Sequence, residues 1–433
     1  MNGPDADRQR IWTDRIGALR QAFTHPGWRI FQTLMAGWVV CTGRRTIIGI
    51  YQQADPEHSR SHDVYHRFVR CAAWVPEQVW KLLAQAMVAK LVPSGVLELD
   101  LDDTLLHRTG RKVDGAGSWR DAVRSYGKRT VIAWGLNLLV VTLRIKPPWG
   151  GEPLGLPIWV SLHRKDGTKL TTLAEEAMNT IATWFPDRHI RCCGDGAYAS
   201  TLMPLHGPQR TCISRMRRDA ALYECKPSST GKPGRPRNRG MRIGNPVEIA
   251  KRARCWTTVV TDQRGKPVTR LLHSRIVLWY KVSKQPVQLV ICRDPDGKEP
   301  DDFWVCSDIQ MPAAEVVGAY AGRWSIEDTF RATKQTIHVQ QPQSWAGEGP
   351  LRAAVLGFLL YSLVWWWFLS LPKAAQRVEP TPWFTSKATP SFADAMAKLR
   401  EVFWRNRIYD ISGHGPIRDE IIDAMLDALS RAA

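Results

Sequence analysis

Hydrophobic and polar positions change their period twice along the chain. Up to about residue 92 the spacing is helical: residues 29–40 are apolar with a helical repeat, CTGRR (41–45) reads as a turn, and HSRSHDVYHRFVR (58–70) is a helix rich in arginine and histidine besides Tyr65 and Phe68. A glycine-containing turn between helices, followed by a basic helix, fits a helix-turn-helix DNA reader. A helical cap over another domain fits equally well.

From residue 96 the period becomes that of strands. VLELDLDD (96–103) alternates apolar and acidic residues, TVIAWGLNLLVVTLRI (130–145) and LPIWVSL (156–162) are β-branched and apolar, and IRCCGDGAYA (190–199) is a short strand opening into a glycine turn. Between the third and fourth strands, LTTLAEEAMNTIATWF (170–185) is helical. This order predicts an α/β fold with a ribonuclease-H-like core, in which acids at the ends of the first and fourth strands come together. The expected division is a helical DNA-binding domain over 1–92, a first core part over 93–202, a β-rich insertion subdomain over 203–300, a second core part over 301–371 and a helical region over 372–433. Within the insertion, KPSSTGKPGRPRNRG (226–240) reads as a mobile basic loop whose GRPR resembles minor-groove-reading arms. Two amphipathic helices are expected near the end, over 391–405 and 417–431.

Residues 353–371 carry no charge over 19 positions, enough to span a bilayer. The segment contains Gly357, Tyr361 and Ser362 and closely follows a charged helix, so a helix buried in a large core is the preferred reading, and no membrane partner is expected. The first residues mix acids and arginines without an apolar run, so no secretory signal is expected there.

Composition adds a partner. Sixty Lys plus Arg against 41 Asp plus Glu leave a net charge of +19, spread over the whole length, which suits a polyanion and first of all nucleic acid. The nine cysteines include no C-x-x-C and no Cys/His spacing of the zinc-finger kind, which argues for reduced thiols and against a disulfide-stapled secreted scaffold.

Candidate chemistry concentrates in YAGRWSIEDTFRATK (320–334). On a single helix Tyr320, Arg323, Glu327 and Lys334 fall within a stripe roughly 60° wide. Ile326, Phe330 and Ile337 form a second stripe that fastens it to a core. A carboxylate flanked by a guanidinium, a phenol and an amine suits metal-assisted work on a phosphodiester, the acid holding a cation and the others donating to phosphate oxygens. The plainer alternative is an ordinary i,i+4 ion pair between Arg323 and Glu327. Three acids then stand at meaningful places: one on the first strand, Asp195 at the fourth, and Glu327. On the first strand Asp100 and Asp102 share a face, while Asp103 points the other way.

With LDDT (101–104), GDGAYA (194–199) and the Y-x2-R-x3-E-x6-K spacing at 320–334 in this order, the chain resembles the DDE transposases of bacterial insertion sequences, specifically the insertion-sequence-four-like superfamily. The resemblance covers roughly residues 96–345. It implies Asp102, Asp195 and Glu327 as catalytic metal ligands, with Asp103 as the fallback for the first. It implies Tyr320, Arg323 and Lys334 as holders of DNA phosphates, and an aromatic residue in the insertion for a flipped base, with Trp256, Trp279 and Trp304 as candidates. It further implies two Mg²⁺ ions, with Mn²⁺ as substitute, and double-stranded DNA partners: terminal inverted repeats and target DNA. A homodimer on paired ends and a cytoplasmic, nucleoid-associated location in a bacterium follow. The rival readings are a metal-dependent nuclease without strand transfer, a transposase-derived DNA-binding protein with a dead site, and a protein spanning a membrane once at 353–371.

Overall fold

Five helices come first: α1 Pro4–Gly17, α2 His25–Val40, α3 Ile47–Ala54, α4 His62–Cys71 and α5 Pro76–Leu91. The computed structural model describes residues 4–127, 129–205, 207–226, 237–263, 266–378, 380, 385–412, 421–423 and 425–426. Thr24 and Thr46 start α2 and α3 by accepting from the N–H groups of Gly27 and Gly49, satisfying donors that have no partner within the helix. The two helices cross so closely that a Cβ at Gly37 would stand 2.3 Å from the Ile50 carbonyl oxygen, so only glycine fits there. On α4, Tyr65, Phe68 and Val69 turn inward while His62, Arg67 and Arg70 stay exposed.

The strands assemble outward from β1, Leu97–His107. After it come β2 Gly117–Arg120, β3 Ile132–Ile145, β4 Leu154–His163, α6 Leu170–Trp184, β5 Ile190–Gly194, the short α7 Ala199–Leu202 and β6 Arg210–Arg215. β3 runs antiparallel to both β1 and β4, β5 parallel to β1, and β6 parallel to β5. The continuous burial of β3 from Gly135 to Leu143 fits its place between two strands and two covered faces. This mixed sheet, flanked by helices, is consistent with a ribonuclease-H-like fold.

Beyond β6 lie β7 Leu222–Tyr223 and β8 Arg242–Gly244, which pair with each other, then α8 Pro246–Arg252, β9 Thr257–Gln263, β10 Lys266–Val277, β11 Val287–Arg293 and β12 Asp302–Cys306. Of the strands expected to form an insertion, β7 and β8 make a two-stranded sheet of their own, whereas β9, β10 and β11 join the main sheet. β12 pairs with β6, and the main sheet continues in the order β2-β3-β1-β5-β6-β12-β11-β10-β9. β6 itself, inside the range assigned to the insertion, is a core strand. Left uncovered, its outer edge would present a row of unpaired backbone groups, which β12 satisfies. Residues 227–236, most of the basic Pro/Gly-rich stretch, and most of the helix expected over 417–431 lie outside the described residues.

After β12 come α9 Ala313–Gly322, α10 Ser325–Gln335, α11 Gly349–Leu369 and α12 Phe392–Ser412. α10 lies tight on β4, where the Thr329 hydroxyl donates to the Gly155 carbonyl at 2.6 Å and a Cβ at Gly155 would meet Ser325 Oγ at 3.0 Å. α11 holds most of the uncharged segment, and every residue from Arg352 to Phe368 is buried in protein. Its Ser362 hydroxyl donates to the Pro157 carbonyl of β4 at 2.7 Å.

The N-terminal helices wrap the other side of α11. Trp367 Nε1 donates to the Arg8 carbonyl at 2.9 Å, Arg352 donates to the carbonyls of Ala72 and Trp74, and Trp38 Nε1 reaches the Ile337 carbonyl at 2.8 Å. One continuous hydrophobic core therefore runs from α1 through the sheet to α12.

Candidate active site

Alternation along β1 sorts its three aspartates. Asp100 is fully buried, accepts from Arg144 Nε at 3.0 Å and from Ser325 Oγ at 3.1 Å, and makes a second, close contact with Arg144 Nη2. Arg144 also donates from Nη1 to the Ala319 carbonyl at 2.8 Å. Asp100 is thus committed to joining β1, β3 and the α9–α10 junction. On the opposite face Asp103 accepts from the Tyr198 hydroxyl at 2.6 Å. Asp102 lies on the Asp100 face, one step nearer the strand's outer end, and accepts from Arg323 Nη1 at 2.7 Å.

Arg323 does not sit on one straight helix with its neighbours. The segment 320–334, expected as a single helix, is α9 and α10 joined through Arg323 and Trp324. Arg323 N–H donates to the Tyr320 carbonyl and Ile326 N–H to the Arg323 carbonyl, tighter i to i−3 bonds in place of the α ladder. The junction is held by Arg144 and Ser325 from below, and Gly322 lets the Arg144 guanidinium approach. The overwound turn brings Arg323 Nη2 to 3.4 Å from Glu327 Oε1, so one guanidinium spans Asp102 and Glu327.

Asp195 follows β5 directly. Register pairs Leu101 with Gly194, which sets Asp195, just past the end of β5, beside Asp102 midway along the parallel strand β1. Its carbonyl accepts from Ser214 Oγ of β6 at 2.9 Å. The electrostatics agree with this grouping. Burial lifts the Asp102 carboxyl to about 6, against the pull of Arg323 and with a push from Asp103. Burial also raises the Tyr320 phenol to about 12, so it is a neutral donor at physiological pH. Burial opposes the charge of Arg323, but the carboxylates of Asp102 and Asp195 hold it protonated beyond its ordinary value.

Tyr320, Arg323 and Glu327 are therefore brought together with Asp102 and Asp195. Lys334 stands about 10 Å farther along α10, where burial lowers its pKa and Asp121 partly restores it. Beside Tyr320 and Arg323 opens a groove of about 920 Å³ toward β10–β12, lined also by Trp304, Arg270 and Trp324. Of the aromatic candidates, Trp304 is buried with its ring 5.8 Å from that of Tyr320, Trp279 is buried, and Trp256 lies under Arg293. Two participants escaped the sequence reading. Trp324, 38 % exposed on the groove, lay off the stripe because a straight helix was assumed. Arg144 carried a usable signal, since a lone arginine in the apolar run 130–145 demands a buried acid.

Among the described residues, no three acidic, histidine or cysteine side chains stand close enough to share an ion as they are placed. Arg323 lies between two of the carboxylates. The donor set itself, three carboxylates, has the chemistry of a hard divalent cation such as Mg²⁺.

Against known families, residues 18–151 match a family described as DDE superfamily endonuclease, and residues 150–344 match the transposase DDE domain. The chain belongs to the DDE transposases. The two matched stretches meet between β3 and β4, so the first holds Asp102 and the second holds Asp195 and Glu327 of this DDE protein. The endonuclease match also takes in α2–α5, which fits the shared core of helices and sheet. No curated protein matches the chain.

Proposed function

We propose that the protein is a cut-and-paste DNA transposase of the insertion-sequence-four-like kind, cleaving at the element's ends and transferring the freed 3′-hydroxyl to target DNA. Asp102, Asp195 and Glu327 are the residues that would hold two Mg²⁺ ions, with Mn²⁺ as substitute. Bound there, the ions supply activation of the attacking oxygen and stabilisation of the leaving one. The observation that carries the reading is the convergence of Asp102 and Glu327 on Arg323, with Asp195 at the adjacent strand end.

The chain's own groups have distinct tasks in this scheme. Arg323 releases the carboxylates and turns its fork to the scissile phosphate, a charge-assisted pairing for which a guanidinium is suited. Tyr320 donates its hydroxyl to a phosphate oxygen, remaining protonated because of its burial. Lys334 binds a phosphate farther along the same strand. The partners are double-stranded terminal repeats and target DNA, gripped by a homodimer on paired ends in the bacterial cytoplasm, and α4 is the candidate reader of the repeat.

The test is cleavage of a labelled duplex taken from the inverted repeat beside the gene, with Mg²⁺ or Mn²⁺, followed by a joining assay with plasmid target. Nicked ends joined to plasmid are the expected product. The match to an endonuclease family supports one alternative, a nuclease without strand transfer; nicking with no joined product would favour it. No cutting with any divalent metal would overturn the proposal.

A further inference from the structure

Between β1 and β3 the chain makes an excursion over residues 108–131 that belongs to none of the elements assigned a role above. It holds seven Lys and Arg against two Asp. Both acids are already paired within the protein. Asp114 pairs with Arg164. Buried Asp121 accepts from His107 Nε2 at 2.8 Å and from the N–H groups of Val123 and Arg124, and Arg124 reaches it weakly at 3.5 Å. Arg111, Lys112, Arg120 and Arg129 are exposed, and among the described residues none of them forms an ion pair. Tyr126 is 69 % and Val123 88 % exposed at the tip.

The excursion is firmly built. Asp121 N–H donates to the Val131 carbonyl at 2.8 Å, Val131 N–H to Ser125 Oγ at 2.9 Å, and Tyr126 and Arg129 exchange backbone bonds across a tight turn. Its base is tied to the segment after α10: Arg108 Nη1 donates to the Gln340 carbonyl, His107 N–H to Gln340 Oε1, and Asp114 N–H to the Trp345 carbonyl. A fixed cationic surface loses little freedom on binding, which favours a real contact over a loosely solvated loop.

Its position is equally specific. β1 leads from Asp102 to His107, a span of about 17 Å, and α10 leads from Glu327 to Lys334. Both arrive at Asp121, which His107 bonds and whose charge reaches Lys334. The excursion therefore prolongs the stripe of Arg323 and Lys334 away from the cleavage centre.

We infer that residues 108–131 form a phosphate-tracking hairpin that grips duplex DNA roughly five base pairs from the bond being cut, taking a rise of about 3.4 Å per base pair. Arg111, Arg120 and Arg129 contact backbone phosphates, and Tyr126 packs on the sugar edge. The inference rests on the transposase reading, since it takes duplex DNA as the substrate of the same centre.

The test uses the full-length chain and a fluorescent 40-base-pair duplex of mixed sequence, with binding followed by anisotropy across a salt series. The triple variant R111Q/R120Q/R129Q should lower the slope of log affinity against log salt by about 2 to 3, near 0.9 per lost phosphate contact. Its affinity should fall at least roughly tenfold near physiological salt, with the thermal melt unchanged. The matching lysine triple, which keeps the charges, should retain a slope close to wild type. An unchanged slope in the glutamine triple, with wild type binding normally, overturns the hairpin and leaves the transposase reading intact. An unchanged slope accompanied by altered self-association in sedimentation assigns the surface to a second copy of the chain instead. Failure of wild type to bind the duplex at all sinks both inferences together.

Discussion

Arg323 Nη1 stands 2.7 Å from Asp102 Oδ2, joining two residues 221 positions apart in sequence. The same guanidinium reaches Glu327, so a divalent cation and Arg323 compete for the same oxygens. Replacing Arg323 by glutamine should tighten Mn²⁺ binding to the DNA-free protein in calorimetric titration. It should also weaken cleavage of terminal DNA by roughly 10- to 100-fold, the loss of a charge-assisted phosphate contact of about 1.5 to 3 kcal/mol. Normal cleavage by this variant would remove Arg323 from the DNA-facing surface.

The carboxyl of Asp102 gives a pH signature. Its folded value of about 6 lies above the ordinary 3.8, so its contribution to stability is complete below pH 4 and is lost as pH rises through 6. Asp102→Asn should thus gain stability relative to wild type across that window, by on the order of 3 kcal/mol at most. Urea denaturation of both proteins at pH 4, 5, 6 and 7 measures it. A constant difference would mean that Asp102 is not held in this buried setting.

Glu327→Gln keeps size and polarity and removes the charge that suits it to a metal. Duplex binding in gel shifts should survive, because it rests on the basic surface. Nicking and strand transfer should fall by several orders of magnitude, with Mn²⁺ restoring a little. Undiminished cutting would refute the role given to this residue.

Asp100 and Arg144 form a buried pair, and breaking it strands a charge. Arg144→Leu should cost about 3 to 5 kcal/mol in denaturant unfolding, and adding Asp100→Leu should recover part of the loss. If the single variant is as stable as wild type, the pair does not brace the α9–α10 junction.

Trp366 is 2 % exposed in the middle of α11. Trp366→Asp would bury an unpaired charge and should leave the protein in inclusion bodies. Wild type recovered only with membranes would reverse the assignment of α11 to the core.

Much of this was legible in the chain. Alternation over 96–103 and the apolar runs at 130–145 and 156–162 located the first strands, and the uncharged run at 353–371 was readable as core by its small and polar members. Long-range pairing was not. Nothing local in Thr211–Ser214 distinguishes a core strand from an insertion strand, because the difference lies in which partner, β5 or β12, satisfies each edge. The spacing of Tyr320, Arg323 and Glu327 picked out residues that do lie together, but through an overwound junction and not along one straight helix. The bracing by Arg144 and Ser325 becomes visible only when residues 175 and 225 positions distant are in contact.

The embrace of α11 by the first five helices bears on how the protein comes to exist. A chain emerging from the ribosome exposes the inner faces of α1, α2 and α4 long before Gly349–Leu369 has been made to cover them. α11 is made only in the last fifth of the chain, so Asp102 and Asp195 leave the ribosome before Glu327 and before the helix that completes the core. A product truncated before α11 would lack the helix on which both α1 and β4 pack. For the same reason residues 1–92 expressed alone would lack their packing partner, and the natural unit for any DNA-binding experiment is the whole polypeptide.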